Sequence, residues 1–227
     1  MAAPFKEERD MSRKKSDYGP SRRRFLGFGL SAIVLGRTLK AADEPGAECP
    51  ATGEDIEGPF WQKDAPFKNR LRLEKHAAGE PLRVSGKVTG FPGCAPLKDA
   101  VLDVWQADHA GNYDNEKGES AKFELRGRLK TDDKGNYEFE TIVPGAYSIG
   151  LGRSRPKHIH YKISCPGYKE LTTQLYFTGD PFLAKDPWAS KSRTVDLVKH
   201  ADAEEMKKLG VSKPFYTAVF NIVLKKA

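Results

Sequence analysis

From about Leu82 onward the sequence is a succession of short segments in which apolar and polar residues alternate, broken at short intervals by turn residues. A period of two places successive side chains on opposite faces of an extended chain, so each segment reads as a strand with one buried side. In "LRVSGKVTG", Leu82, Val84, Gly86 and Val88 share a side; "DAVLDVWQA" is a denser apolar strand. "LRGRLKTDDKGNYEFETI" reads as a hairpin turned at Asp133-Lys134-Gly135-Asn136, with Tyr137, Phe139 and Thr141 alternating against Glu138 and Glu140. "VPGAYSIGL" opens on a Pro-Gly turn; "KHIHYKIS" and "LTTQLYF" follow, and "FYTAVFNIVL" closes the chain. The one helical candidate is "HADAEEMKKLG", with Asp202 as cap and Gly210 as stop. Many strands and little helix define an all-β sandwich or barrel. About 185 residues can bury roughly 70% of the surface of their unfolded chain, which is enough for one core.

The residues before the strands divide in two. "SRRRFLGFGLSAIVLG" joins a basic cluster, Arg22 to Arg24, to an apolar run from Phe25 to Leu35. That run is too short for a hydrocarbon core of ~30 Å and suits the apolar part of an export signal. The string Ser21-Arg22-Arg23-Arg24-Phe25-Leu26 resembles a twin-arginine signal, the address of proteins exported already folded. Residues 1–42 are therefore expected to be an export leader handled by the twin-arginine machinery. The protein is then periplasmic or extracellular, and tethered if the leader is not cleaved. Residues 43–80, rich in Pro, Gly and acids, form an arm, and 81–227 the β-sandwich domain.

The net charge of +7 belongs mostly to the leader. Beyond Ala42 there are 28 Lys and Arg against 27 Asp and Glu. No charge excess is left for a nucleic-acid footprint. Cys49, Cys94 and Cys165 permit one disulfide in an oxidising compartment, with three pairings open and one thiol left over.

Chemistry enters with "SRPKHIHYKIS". His158, His160 and Lys162 fall on one face of a strand and Ile159, Tyr161 and Ile163 on the other, so both imidazoles can converge on one object. A lone H-x-H pair is as often a solvated polar face; further ligands elsewhere must decide. Tyr113 follows Gly111-Asn112 just past a buried strand, and Tyr147 follows Pro144-Gly145 shortly before the histidines. Each alone reads as a sandwich-edge tyrosine; together with Arg155, His158 and His160 they read as a site.

With "DIEGPFW", "VLDVWQADHAGNY", "TDDKGNYEFETIVPGAY", "RPKHIHYKIS", "LTTQLYFTGDP" and "FNIVL" in this order, the chain resembles the intradiol ring-cleavage dioxygenases over most of Ala47 to Leu224. Within them it looks most like the iron-binding subunit of protocatechuate dioxygenase. The resemblance implies an intradiol-type β-sandwich with long connecting loops, and a mononuclear non-haem Fe(III) held by two tyrosinates and two histidines. Tyr113 would be the tyrosinate that stays bound and Tyr147 the one released when substrate binds, with His158 and His160 as nitrogen ligands. Arg155 would stand beside the substrate ring and Gln174 would line the pocket. The implied activity is O2-dependent ring cleavage of a catechol to a cis,cis-muconate-type product. Fe(III) is a hard cation that favours anionic oxygen donors, which suits the residue types.

Two departures bear on substrate and assembly. The segment between Tyr147 and Arg155 is short, with Ser148 and Ile149 where known members often carry an aromatic. The helical dimerisation region of catechol and hydroxyquinol dioxygenases is not recognisable, which favours a protocatechuate-type subunit working in a homo- or hetero-oligomer. A rival reading is an exported β-sandwich module that binds a metal or an aromatic without catalysis; Arg155 and the full Tyr/Tyr/His/His set count against it. A zinc hydrolase should carry a carboxylate base beside its histidines, and this segment offers none. His76, His109 and His200 have no supporting pattern.

Overall fold

The computed structural model of the chain describes residues 49–118 and 122–227. The expected leader, 1–42, lies outside the described residues, as does the start of the expected arm. With strands numbered in chain order, the first sheet is built on β1 (Pro81–Phe91). This long strand pairs antiparallel with β5 (Asn136–Ile142) and parallel with β12 (Phe215–Val219) and β13 (Ile222–Lys225). Short strands β2 (Ala95–Pro96) and β11 (Val198–His200) complete that sheet. The second sheet runs β10 (Thr194–Val195), β9 (Leu171–Phe177), β8 (His158–Ser164), β3 (Val101–Trp105), β4 (Arg126–Lys130). A separate ribbon joins β6 (Tyr147–Gly150) to β7 (Arg153–Arg155).

The two sheets enclose one apolar core. Leu82, Val84 and Val88 from β1 and Tyr137 and Phe139 from β5 meet Leu102 and Val104 from β3, Ile159, Tyr161 and Ile163 from β8, and Leu175 and Phe177 from β9. These residues have the period-two spacing read in the sequence, and burying them supplies the drive for the sandwich. Alternation then fixes what lies on the other side of the second sheet: Asp103, Trp105, His158, His160, Gln174 and Tyr176. The helix α1 (Ala203–Leu209) starts where Asp202 accepts hydrogen bonds from the Glu204 and Glu205 amides and ends at Gly210 with φ +64°, as the caps predict.

One expectation is corrected. The turn at Asp132–Asn136 exists, with the Asp132 carboxylate accepting the Lys134 and Asn136 amides. It does not close a hairpin, because β4 pairs with β3 in one sheet and β5 with β1 in the other. The chain crosses the core there. "FYTAVFNIVL" is likewise two strands in one continuous register on β1, interrupted where the Phe220 carbonyl accepts the Tyr137 hydroxyl at 2.6 Å.

The arm before β1 is ordered by its partners. A Cys49–Cys94 disulfide joins its first described residue to the turn after β1, which selects one of the three pairings and leaves Cys165 as the free thiol. Thr52 N–H donates to Val223 O (3.0 Å) and Asp55 N–H to Thr172 O (2.9 Å), so the arm lies along both sheets. It continues across the outer face of β8 and β3.

Candidate metal centre

The outer face of the second sheet would be solvated in an ordinary sandwich. Here the arm, the loop after β3, the ribbon and the loop after β9 cover it, and a second apolar cluster forms from Trp105, Ala107 and Tyr113 with Phe60, Trp61 and Tyr147 against it. Register sets the rows: His160 stands opposite Trp105 on one side and Gln174 on the other, and His158 opposite Tyr176. The Trp105 and His160 rings stack with centroids 4.7 Å apart.

Tyr113 and Tyr147 come from loops that nearly touch. Gly111 has φ +89°, and a Cβ there would stand 2.4 Å from Ala146 O; one at Gly145 would stand 2.5 Å from Gly111 N. Only two glycines allow that approach. Gly145 N–H donates to Asp108 O at 2.7 Å, and the Asp108 carboxylate accepts the Ala110 and Asn112 amides, fixing the turn that aims Tyr113 inward. Phe60 of the arm stacks on Tyr113 at 4.0 Å, and buried Arg126 ties the two together by donating to Phe60 O, Asp114 and Asn115.

The result is a convergence of three donor atoms. His158 Nε2 and His160 Nε2 are 3.1 Å apart, and Tyr113 Oη is 3.1 Å from His160 Nε2 and 3.5 Å from His158 Nε2. His158 Nδ1 lies 2.6 Å from Pro156 O. A carbonyl only accepts, so Nδ1 carries the proton and Nε2 presents a lone pair. The Tyr147 ring stands 5.6 Å from those of both Tyr113 and His158. The four sequence-predicted ligands are therefore brought together.

Electrostatics describe a pocket that lacks positive charge of its own at the donors. Burial, then the Arg155 charge, pushes the His158 pKa down to about 3, and burial beside His158 holds His160 well below the ordinary range. Both imidazoles are neutral with lone pairs available. Burial raises the Tyr113 phenol, with Tyr147 adding to the rise; burial also raises Tyr147, opposed by the charge and hydrogen bond of Arg155. A phenol of pKa ~10 costs about 4 kcal/mol to ionise at neutral pH, so two tyrosinates here require a multivalent cation.

The residues fit such an ion. Two donors each about 2.1 Å from one first-row metal, at roughly right angles, stand about 3 Å apart, close to the spacing found. The donor set, neutral nitrogen plus phenolic oxygen, suits a hard, highly charged ion. Among the described residues no three His, Cys, Asp or Glu side chains come together, so a cation site in them depends on the tyrosine oxygens.

Arg155 and Gln174 form the adjoining wall. Arg155 Nη2 donates to Gln174 Oε1 (2.8 Å) and Tyr176 Oη (3.0 Å), and its Nε to Asp186 Oδ2 (2.6 Å). Gln174 Nε2 donates to Ile56 O of the arm at 2.7 Å. Tyr176 and Arg193 both donate to the Asp55 carboxylate. The sequence reading gave no role to Asp55, Phe60, Trp105, Tyr176, Asp186 or Trp188. The parity of β3 and β9 could have found Trp105 and Tyr176; for the loop residues no periodic signal existed. His109 lies in the turn after β3, His76 accepts the Leu73 amide at 2.9 Å, and His200 stacks on Phe215.

Residues 56–226 match the model of the family described as dioxygenase (Dioxygenase_C). The chain is 34% identical over 195 residues to catechol 1,2-dioxygenase 2 of Acinetobacter lwoffii, covering 79% of this chain and 70% of that one. The chain belongs to the intradiol ring-cleavage dioxygenases. Among solved structures, catechol 1,2-dioxygenase of Acinetobacter sp. ADP1 superposes with a TM-score of 0.69 at 32% identity, over 76% of this chain and 62% of that one. The dioxygenase domain of a dioxygenase carbohydrate-binding protein fusion from Streptomyces sp. SirexAA-E superposes at 0.63 with 34% identity, over 78% of this chain and 100% of that domain. This intradiol dioxygenase thus spans less than two thirds of the length of the ADP1 enzyme. These relatives bear on the family and do not single out its protocatechuate subgroup.

Proposed function

We propose that this protein cleaves the ring of a catechol between its two hydroxylated carbons, using O2 at a mononuclear non-haem Fe(III) and giving a cis,cis-muconate-type product. The observation that carries the reading is the 3.1–3.5 Å triangle of Tyr113 Oη, His158 Nε2 and His160 Nε2, with Tyr147 and Arg155 beside it. Tyr113, Tyr147, His158 and His160 would hold the iron. When bound, it supplies the Lewis acidity that favours loss of phenolic protons and leaves the substrate ring electron-rich toward O2.

The chain's own residues divide the remaining work. Tyr147 is half-buried where Tyr113 is buried, so Tyr147 would be the tyrosinate free to leave, its Oη taking a substrate hydroxyl proton to become a neutral phenol. Arg155, always protonated, holds positive charge where negative charge builds on the opening ring. Gln174 holds Arg155 in place. Phe60 and Trp105 exclude water from the donors.

A cavity of about 620 Å³ borders Tyr147, lined among others by Pro59, Phe60, Glu116, Ser148 and Ile149. Tyr113, His158, His160, Arg155 and Gln174 do not line it, so it does not select among catechols. The relatives named catechol 1,2-dioxygenase make catechol the first substrate to test. Export remains part of the proposal; it rests on the Arg22–Arg24 string and gains support from the Cys49–Cys94 disulfide, which persists in oxidising compartments.

A visible spectrum of the purified protein, with and without catechol, protocatechuate and hydroxyquinol, tests the reading. The expected resting protein is red-brown from tyrosinate-to-iron charge transfer; catechol shifts the band and O2 is then consumed. A colourless protein that stays inert after ferric reconstitution ends it.

A further inference from the structure

If Arg155 stabilises charge on the opening ring, something must hold a long, flexible cation in one orientation inside a buried site. We propose that Asp186, on the loop after β9, is the positioning residue for Arg155, with Trp188 as its second support. The inference rests on the function proposed above and goes beyond it.

Both members of the pair are buried, with side chains 3% and 1% exposed. Asp186 meets Arg155 through a single oxygen, Oδ2 to Nε at 2.6 Å. Its other oxygen, Oδ1, accepts the Trp188 and Ala189 amides, both at 2.9 Å. The carboxylate is therefore itself fixed, and both of its oxygens are in use. It is poorly placed to serve as a base and well placed as an anchor.

The rest of the guanidinium follows from that anchor. Its centre lies 4.7 Å over the Trp188 ring, and Nη2 is taken by Gln174 and Tyr176. Contact through Nε alone, in place of the two-pronged pairing arginine usually makes with a carboxylate, leaves the far edge of the group for another partner. Tyr147 is the cross-strand neighbour of Arg155 in the ribbon. Asp186 thus sets which edge of Arg155 faces the place where the Tyr147 hydroxyl and the substrate exchange.

The test compares wild type with Asp186→Asn, Asp186→Glu, Trp188→Leu and, as a control, Asp180→Asn. Asp180 fixes the same loop through the Lys157 and Phe182 amides and does not touch Arg155. Iron per chain, thermal midpoint, and kcat and KM for catechol are measured for each. Asp186→Asn is expected to lower kcat about 10–100-fold with KM changed less than about threefold and full iron, because the lost interaction grows in the transition state. Asp186→Glu, which keeps the charge, should recover most of that loss, and Asp180→Asn should stay within about threefold of wild type. A wild-type kcat in Asp186→Asn overturns the proposal. So does a loss that merely tracks iron content or is matched by Asp180→Asn. If Asp186→Asn does not fold, Trp188→Leu decides: a kcat lowered about 3–10-fold at full iron supports the proposal, and an unchanged kcat overturns it. Wild-type protein that binds iron and consumes catechol while the variants match it sinks this inference alone. Wild type without either property sinks the function reading, and this inference with it.

Discussion

Strand β8 carries two faces that are buried almost equally and for opposite reasons. Ile159, Tyr161 and Ile163 face the core at 0% exposure, and His158 and His160 on the other side are 2% and 1% exposed. Burying the first set drives folding. Burying the second opposes it, since imidazoles leave water and His160 Nδ1 finds no partner; Tyr161 Oη on the core side is unbonded too, but its ring and the two isoleucines outweigh it. A sandwich shaped only for stability would leave that face to solvent. The cover over it, arm, ribbon and loops, is structure maintained for the donors beneath.

The comparison breaks or holds most visibly in paired substitutions on that one strand. His160→Ala should lose the iron and more than about a thousandfold in activity, beyond the roughly 10–100-fold typical of altering a ligand's hydrogen-bond partner. Its thermal midpoint without iron should stay near that of the iron-free parent. Ile159→Ala, one residue away, should show the reverse: about 2–4 kcal/mol less stable to urea, with the folded fraction retaining iron and near-normal kcat. Equal effects of both variants on iron content would mean that the faces are not separable.

The same contrast explains what could be read in advance. The core face of β8, the caps Asp202 and Gly210, and the histidine pair are statements about local periodicity, which a sequence displays. The false hairpin at Asp132–Asn136 shows the limit: turn residues announce a reversal but not whether the next strand joins the same sheet. Tyr113, Tyr147, Arg155 and Gln174 were nominated because their flanking strings match a family pattern. Asp186, Trp188 and Asp55 were missed because loop and arm residues reach the site through contacts distant in sequence, and nothing local marks them.

The arm supplies the next test, because it covers the polar face and is pinned at Cys49. The disulfide spans 45 residues, a loop for which chain entropy gives at most about 4 kcal/mol and practice about 2–4. Replacing both Cys49 and Cys94 by Ser should cost that much in urea unfolding. Because Asp55, Ile56 and Phe60 are further along the arm and held by their own bonds, kcat should fall less than about threefold. A larger loss of kcat than of stability would show that the pin serves the site directly.

The smallest expected effect probes a carboxylate under that cover. Asp103 sits on the outer face of β3, accepts Trp61 Nε1–H at 3.2 Å, and has its pKa raised to about 6 chiefly by burial, against the opposing pull of Trp61, Arg128, Lys162 and Arg126. The unfolded chain ionises it near pH 3.9. A native pKa above the unfolded one means that its stabilising contribution is complete below about pH 4 and is lost as pH rises through about 6. The full shift corresponds to about 3 kcal/mol, and partial solvation brings the expected change to about 1–2 kcal/mol. Asp103→Asn keeps an acceptor for Trp61 and removes the titration. The variant should therefore gain about 1–2 kcal/mol on wild type between pH 4 and pH 7.5, read as the difference of two urea titrations at each pH. If the difference is flat, the three cations keep Asp103 ionised in the fold, and this part of the outer face is held by charge pairing, unlike the neutral donors beside it. If it rises as expected, the outer face is costly to bury even where it bears no ligand, and the cover is retained against that cost.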